Sequence, residues 1–319
     1  MKIACLFPGQ GSQNVGMGLD LYQQFAHAKN IFAEIDKITD RPLSKLCFEG
    51  PAEELKRTAN TQPTILATSI VAWKCYLEAG GPEPSFVAGH SLGEFSALYA
   101  AGVLSFEAVI KLVEKRAQLM ETCPLGAMSA ILSMKYDQLK QICDSITQRN
   151  ANENKVVMVA NFNTEEQLVI SGDPESVKDA AEVAKLEGAK VIPLPVGGAF
   201  HSPLMTAVAQ EFSEELSRNN FAEAKFPVVQ NVTAMAHTNG TIIQNTLQKQ
   251  MTSSVLWYDT IKFMLDQGVS HFVEIGPGKA LSGMIKRISK SAQAHNIEDA
   301  DSLNATVRAL KALCVSNSQ

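Results

Sequence analysis

This 319-residue sequence is sparing with charge: Asp, Glu, Lys and Arg make up 19% of it, with no basic excess. A formal net charge of −5 argues against the broad positive face that general nucleic-acid binding requires. No apolar run approaches the ~20 residues that cross a bilayer. The opening Met1-Lys-Ile-Ala-Cys-Leu-Phe-Pro is too short an apolar stretch for a secretory signal. The six cysteines, Cys5, Cys47, Cys75, Cys123, Cys143 and Cys314, form no CxxC pair and no metal-like spacing. That scatter predicts ordinary buried thiols in a reducing compartment, hence a cytoplasmic chain with no metal site. Internal repeats and low-complexity tracts are also missing.

What is present is core-forming material. At 45% hydrophobic residues the chain can fill one large domain, or a large domain with a smaller insertion. The most informative stretch is Ser85 to Gly102. There a short apolar run, Phe86 to Ala88, ends in Gly89-His90-Ser91-Leu92-Gly93 and a helical segment follows. This is G-x-S-x-G between a strand and a helix, the setting of a nucleophile elbow. Small flanking residues let the backbone turn sharply, which raises the Ser91 hydroxyl over a helix N-terminus. The Leu92 N–H would then face an oxyanion forming beside Ser91. The plain alternative is a glycine-bounded turn with an incidental serine.

The remaining chain supplies candidates for company. Ile3 to Phe7 reads as a buried strand that ends in Pro8-Gly9-Gln10-Gly11-Ser12-Gln13, with a helix from about Leu19 to Ile38. This loop lacks both the Lys-Ser/Thr of a P-loop and a G-x-G-x-x-G. It is either a plain turn or a place where Gln10 offers a donor to a site. Gln62-Pro63 predicts a helix start, because a first-turn proline is tolerated there. Ser105 is a candidate N-cap for a helix over Phe106 to Glu121. At ~100° per residue, Glu107, Lys111, Glu114, Lys115, Gln118 and Glu121 share a polar arc. Arg116 instead falls on the apolar face, between Val109 and Leu112. A guanidinium there needs an anion or a route to the surface, so it is a structural ion pair, a snorkelling side chain or a ligand grip.

From Ala127 the pattern becomes strand, helix, strand, strand, helix, strand, ending near Leu194. That is the ferredoxin-like βαββαβ order, predicting a small domain over 127–196 inserted into a larger one of 1–126 and 197–319. The chain then returns through Val196-Gly-Gly-Ala-Phe200-His201-Ser202-Pro203. Of the six histidines, His27, His237, His271 and His295 sit in polar or strand settings, and His90 should leave its turn away from Ser91. His201, in a glycine-rich loop before a helix, is the favoured base for Ser91. Strands are expected at Pro227–Thr233 and His271–Ile275, and helices at Thr241–Met251, Trp257–Gln267 and Ser302–Leu313, after a polar tail. Lys279, Lys286 and Lys290 are expected on one face of a late helix, with Arg287 nearby. This face is either solvated or a dock for an acidic partner.

These motifs resemble the malonyl-CoA:acyl carrier protein transacylases of fatty acid synthesis and the related acyltransferase domains of polyketide synthases. The matching runs are Phe7-Pro-Gly-Gln-Gly-Ser-Gln13, Thr61-Gln-Pro63, Gly89-His-Ser-Leu-Gly-Glu94, Arg116, Asn161-Phe-Asn163, Val169-Ile-Ser-Gly172, Phe200-His201-Ser202, Asn231-Val-Thr233 and Glu274-Ile-Gly-Pro-Gly-Lys279. The resemblance implies an α/β fold: an α/β-hydrolase-like larger domain beside the ferredoxin-like insertion. It implies acylation of Ser91, His201 as general base, and an oxyanion hole from the Gln10 and Leu92 amides. It further implies Arg116 on a malonyl carboxylate, Gln62 and Phe200 at the substrate, and the Gln250 carbonyl orienting His201. Malonyl-CoA and acyl carrier protein would be the substrates, with no cofactor. A polyketide acyltransferase and an acyl-thioester hydrolase are the rival readings.

Overall fold

The computed structural model describes residues 1–153 and 155–316. Among the described residues ten strands form two sheets: β1 Lys2–Phe7, β2 Phe86–Gly89, β3 Ala127–Leu132, β4 Val157–Thr164, β5 Gln167–Gly172, β6 Lys190–Pro193, β7 Val228–Val229, β8 Ala236–His237, β9 Val269–Ile275 and β10 Gln293–Ile297. The larger sheet runs β10-β9-β1-β2-β7-β8 and is parallel except for the last pair. Helices cover both faces, as a parallel sheet demands. Buried Phe7, Ile65, Val71, Phe95 and Val113 lie in the core on one side, with Leu6, Trp257, Ile261 and Phe272 in that on the other. The smaller sheet, β4-β5-β3-β6, is antiparallel throughout and has its own core of Ile131, Leu139, Ile170 and Val177. Its strands and two helices follow the βαββαβ order, so the fold is α/β, with an α/β-hydrolase-like part and a ferredoxin-like part.

Five local expectations give way to tertiary demands. The helix expected over Leu19 to Ile38 is two, Leu19–Gln24 and Ala26–Thr39, because Phe25 adopts extended backbone and redirects the chain. The second helix then sets Ala28, Phe32 and Ile35 into the core. Pro63 does not open its helix, which spans Thr58–Glu78. A proline there removes the N–H that would reach the Ala59 carbonyl. The Arg41 guanidinium fills the gap, donating from Nη1 to the Ala59 oxygen at 3.1 Å. The strand expected over Pro227–Thr233 shrinks to two residues, since Gln230 and Asn231 turn inward. The helix expected to reach Met251 stops at Leu247, followed by a 3₁₀ turn over Gln250–Thr252. The tail before Ser302 contains an unforeseen strand, β10: half-exposed edge strands lack the apolar run that marks buried ones. Cys314 lies outside the described side chains. Burial raises the thiol pKa values of Cys5, Cys47, Cys75 and Cys143, and all four are free. Among the described residues no helix is long and apolar enough to cross a membrane.

Arg41 also pairs at 2.8 Å with Glu114, a member of the helix's polar arc that is nevertheless buried. Arg41→Ala should therefore leave three acceptors unmet: the Ala59 carbonyl, the Glu114 carboxylate and the Asn60 side-chain oxygen. Equilibrium denaturation is expected to show a loss of about 2 kcal/mol, with a milder loss for Arg41→Lys.

Candidate active site

β2 stops at Gly89 and a helix begins at Gly93, leaving room for a single sharp turn. Ser91 sits in it at φ 51°, a left-handed conformation costly for a non-glycine residue. Both glycines are sterically required. A Cβ on Gly89 would lie 1.9 Å from the Gly93 carbonyl, and one on Gly93 would lie 2.1 Å from the Phe7 oxygen. Asn231 straps the turn, accepting from the Ser91 N–H at 2.7 Å and donating to the Gly89 oxygen at 2.7 Å. The Pro8–Gln10 loop packs against it, since a Cβ on Gly9 would meet the His90 oxygen at 2.3 Å. Among the described residues neither the Gln10 N–H nor the Leu92 N–H meets an acceptor. The Gln10 side chain itself donates to Thr58 Oγ1 at 3.2 Å.

His201 also has a left-handed backbone, φ 59°, and is buried. Its Nε2 lies 2.7 Å from Ser91 Oγ, and its Nδ1 lies 2.9 Å from the Gln250 backbone oxygen. A carbonyl only accepts, so Nδ1 carries the proton and Nε2 is left to accept one from Ser91. The third member of this arrangement is thus a main-chain dipole where a Ser-His-Asp triad has a carboxylate. Burial, reinforced by the Arg116 charge, pushes the imidazole pKa down to about 3. His90 points elsewhere: its Nε2 meets Asn163 Oδ1 at 2.7 Å on β4.

Arg116 is 1% exposed. It donates from Nη1 to Gln62 Oε1 at 2.6 Å, and from Nη2 to Ser91 Oγ at 3.2 Å and Gln250 Oε1 at 3.1 Å. Phe95 presents its ring face 5.5 Å from the guanidinium carbon. Nε has no partner, and among the described residues no carboxylate forms a contact ion pair with the group. Burial lowers its pKa to about 10, with Glu94 opposing, so it stays cationic at neutral pH. Phe200 is buried in the main core next to His201 in the chain. Hydrogen bonds therefore join Ser91, His201, Arg116, Gln62 and Gln250, whereas the Gln10 side chain and the basic set bond elsewhere. Lys279 pairs with Glu298 at 2.8 Å, Arg287 donates to Gln167 at 2.6 Å, and exposed Lys290 lies beyond the helix Ala280–Ile288 that carries Lys286. Sequence reasoning assigned no role to Glu94, Gln230 or Asn231, all buried around the turn. Glu94 in the first turn after the elbow was the available signal.

A model of the acyl transferase domain matches residues 5–315. The malonyl CoA-acyl carrier protein transacylase of Bacillus subtilis strain 168 is 44% identical over 314 residues, covering 97% of this chain and 98% of its own length. The chain belongs to the malonyl CoA-acyl carrier protein transacylase family. Family resemblance extends to three dimensions. An acyl carrier protein S-malonyltransferase from Vibrio cholerae superposes with a TM-score of 0.91 at 40% identity, over 96% of this chain and 99% of that one. A malonyl-transacylase solved in complex with its type II PKS acyl-carrier protein gives 0.92 at 38% identity, over 97% and 100%.

A histidine held neutral by burial makes the fold acid-sensitive. The unfolded chain protonates His201 near its ordinary pKa of 6.5, whereas the folded one resists until about 3. The native state thus binds fewer protons in that window, and stability falls as pH drops from 6.5 toward 3. Denaturation curves at stepped pH should show a shallower fall for His201→Asn than for the parent protein.

Proposed function

We propose that this chain transfers a malonyl group from malonyl-CoA to the phosphopantetheine thiol of acyl carrier protein, supplying fatty acid synthesis. One observation carries the reading: a buried guanidinium without a contact counter-ion stands 3.2 Å from the hydroxyl of an elbow serine. An acyl group that brings its own carboxylate satisfies that cation, whereas an acetyl group leaves it unpaired.

The reaction proceeds in two halves. His201 Nε2 takes the Ser91 proton as Oγ attacks the thioester carbon, and the oxyanion is held by the Gln10 and Leu92 N–H groups. The C–S bond then breaks, His201 returns its proton to the departing coenzyme A, and malonyl-Ser91 remains. The carrier thiol attacks this ester, giving its proton to His201, and collapse restores the Ser91 hydroxyl. Each oxyanion donor contributes about 3 kcal/mol of barrier lowering. Arg116, with Gln62 beside it, grips the malonyl carboxylate; Phe200 shapes the acyl pocket; the Gln250 carbonyl fixes the His201 tautomer. Proton transfer and displacement at carbon call on no metal or redox cofactor.

The same reading divides the chain into a catalytic domain of 1–126 and 197–319 and a ferredoxin-like domain of 127–196, supported by the separate core of the smaller sheet. It places the enzyme in the cytoplasm. The acidic carrier docks on the basic set, where Lys286 and Lys290 are exposed and Lys279 and Arg287 already have partners. A polyketide carrier is the second reading, favoured by the likeness to the type II PKS complex.

Two measurements test the proposal. With labelled malonyl-CoA, label should stay on the protein until carrier is added and then move to it; prompt malonate release without carrier would make this a hydrolase. Arg116→Ala should lower malonyl transfer at least a hundredfold more than acetyl transfer, given an unpaired charge-assisted contact worth about 3 kcal/mol. Equal losses would refute the carboxylate grip.

A further inference from the structure

Glu94 is a carboxylate that the transfer mechanism leaves unused, 1% exposed one turn from Ser91. Burial raises its pKa, against which three donors and the nearby Arg116 charge act. Its Oε2 accepts from Gln250 Nε2 at 2.8 Å and from the Asn231 N–H at 3.2 Å, and its Oε1 accepts from Gln230 Nε2 at 3.2 Å. Gln250 in turn donates from the same Nε2 to the Ser91 carbonyl at 3.0 Å, and its Oε1 receives Arg116 Nη2. The backbone oxygen of this one residue holds His201 Nδ1.

We infer that Glu94 is a positioning residue that orients the Gln250 amide and thereby sets both the Arg116 guanidinium and the His201 imidazole; this rests on the malonyl-transfer reading. The chemistry is asymmetric. A carboxylate only accepts, so it draws the NH₂ end of the amide to itself and turns the oxygen toward Arg116. The resulting order is carboxylate, amide, guanidinium. The amide acts as a spacer: it keeps the anion near enough to ease burial of the cation but out of contact with it. A direct ion pair would neutralise Arg116 and leave nothing for a substrate carboxylate to bind. Because Gln250 also carries the acceptor for His201, one anion serves selectivity and base orientation together.

Glu94→Gln tests this, since it preserves size while ending the acceptor-only character. Expected is a roughly tenfold fall in malonyl kcat/KM, typical of coupled neighbours, together with a fall in the malonyl-to-acetyl ratio. Adding Glu94→Gln to Gln250→Ala, which keeps the backbone carbonyl, should cost less than about twofold more. A fully additive loss, or an unchanged malonyl-to-acetyl ratio, overturns the inference. If Glu94→Gln does not fold, Gln250→Met carries the test: it must lower that ratio, and an unchanged ratio overturns the proposal. A parent protein that forms no malonyl-Ser91 defeats the transfer reading itself, whereas an active parent with an indifferent Glu94→Gln defeats only the role of Glu94.

Discussion

The constraint on which this site depends is the burial of one guanidinium. Arg116 lies on the apolar face of its helix, out of water, with hydrogen bonds only to neutral oxygens. Moving such a charge inside costs several kcal/mol unless its surroundings are arranged for it. The arrangement is Gln62 and Gln250 as oriented acceptors, the face of Phe95, and Glu94 one amide away. Each answers part of the cost, and none neutralises the charge in contact. The same cation, acting with burial, keeps His201 neutral and hence able to accept a proton.

Holding these groups still falls to the smaller sheet as well as the larger. The segment that carries Gln250 continues through Ser254 and Val255, which bond to β4. Val255 donates to the Ala160 oxygen at 2.8 Å, and the Phe162 N–H returns to Val255 at 2.9 Å. Ser254 Oγ donates to the Val159 carbonyl. Asn163, from the same strand, meets His90 at the elbow. The ferredoxin-like part therefore braces both the turn bearing Ser91 and the carbonyl that orients His201, while β1, β2 and their helices carry the strained turn.

How much was legible beforehand follows from where each signal resides. The elbow, the inward Arg116 and the βαββαβ order are written in local spacing: small residues about a turn, one charge out of phase, and alternating periods. The Ser105 cap was legible for the same reason, and its side chain accepts from the Ala108 N–H. Gln250 was reached only through family resemblance, because a backbone carbonyl leaves no trace in residue type. Glu94 and Asn231 act through bonds spanning more than 130 residues, which no window along the chain reveals. Strand β10 hid because an edge position tolerates polar residues, and the break at Phe25 because tertiary packing outweighed helix propensity.

The central claim is that this site selects an acyl group by its carboxylate and holds it on Ser91. Offering the protein an equal mixture of acyl-CoAs and weighing it intact, followed by peptide mapping, tests both halves at once. The account predicts a single malonyl adduct confined to the peptide containing Ser91. A mixture of adducts in proportion to supply, or malonyl on any other peptide, would contradict it.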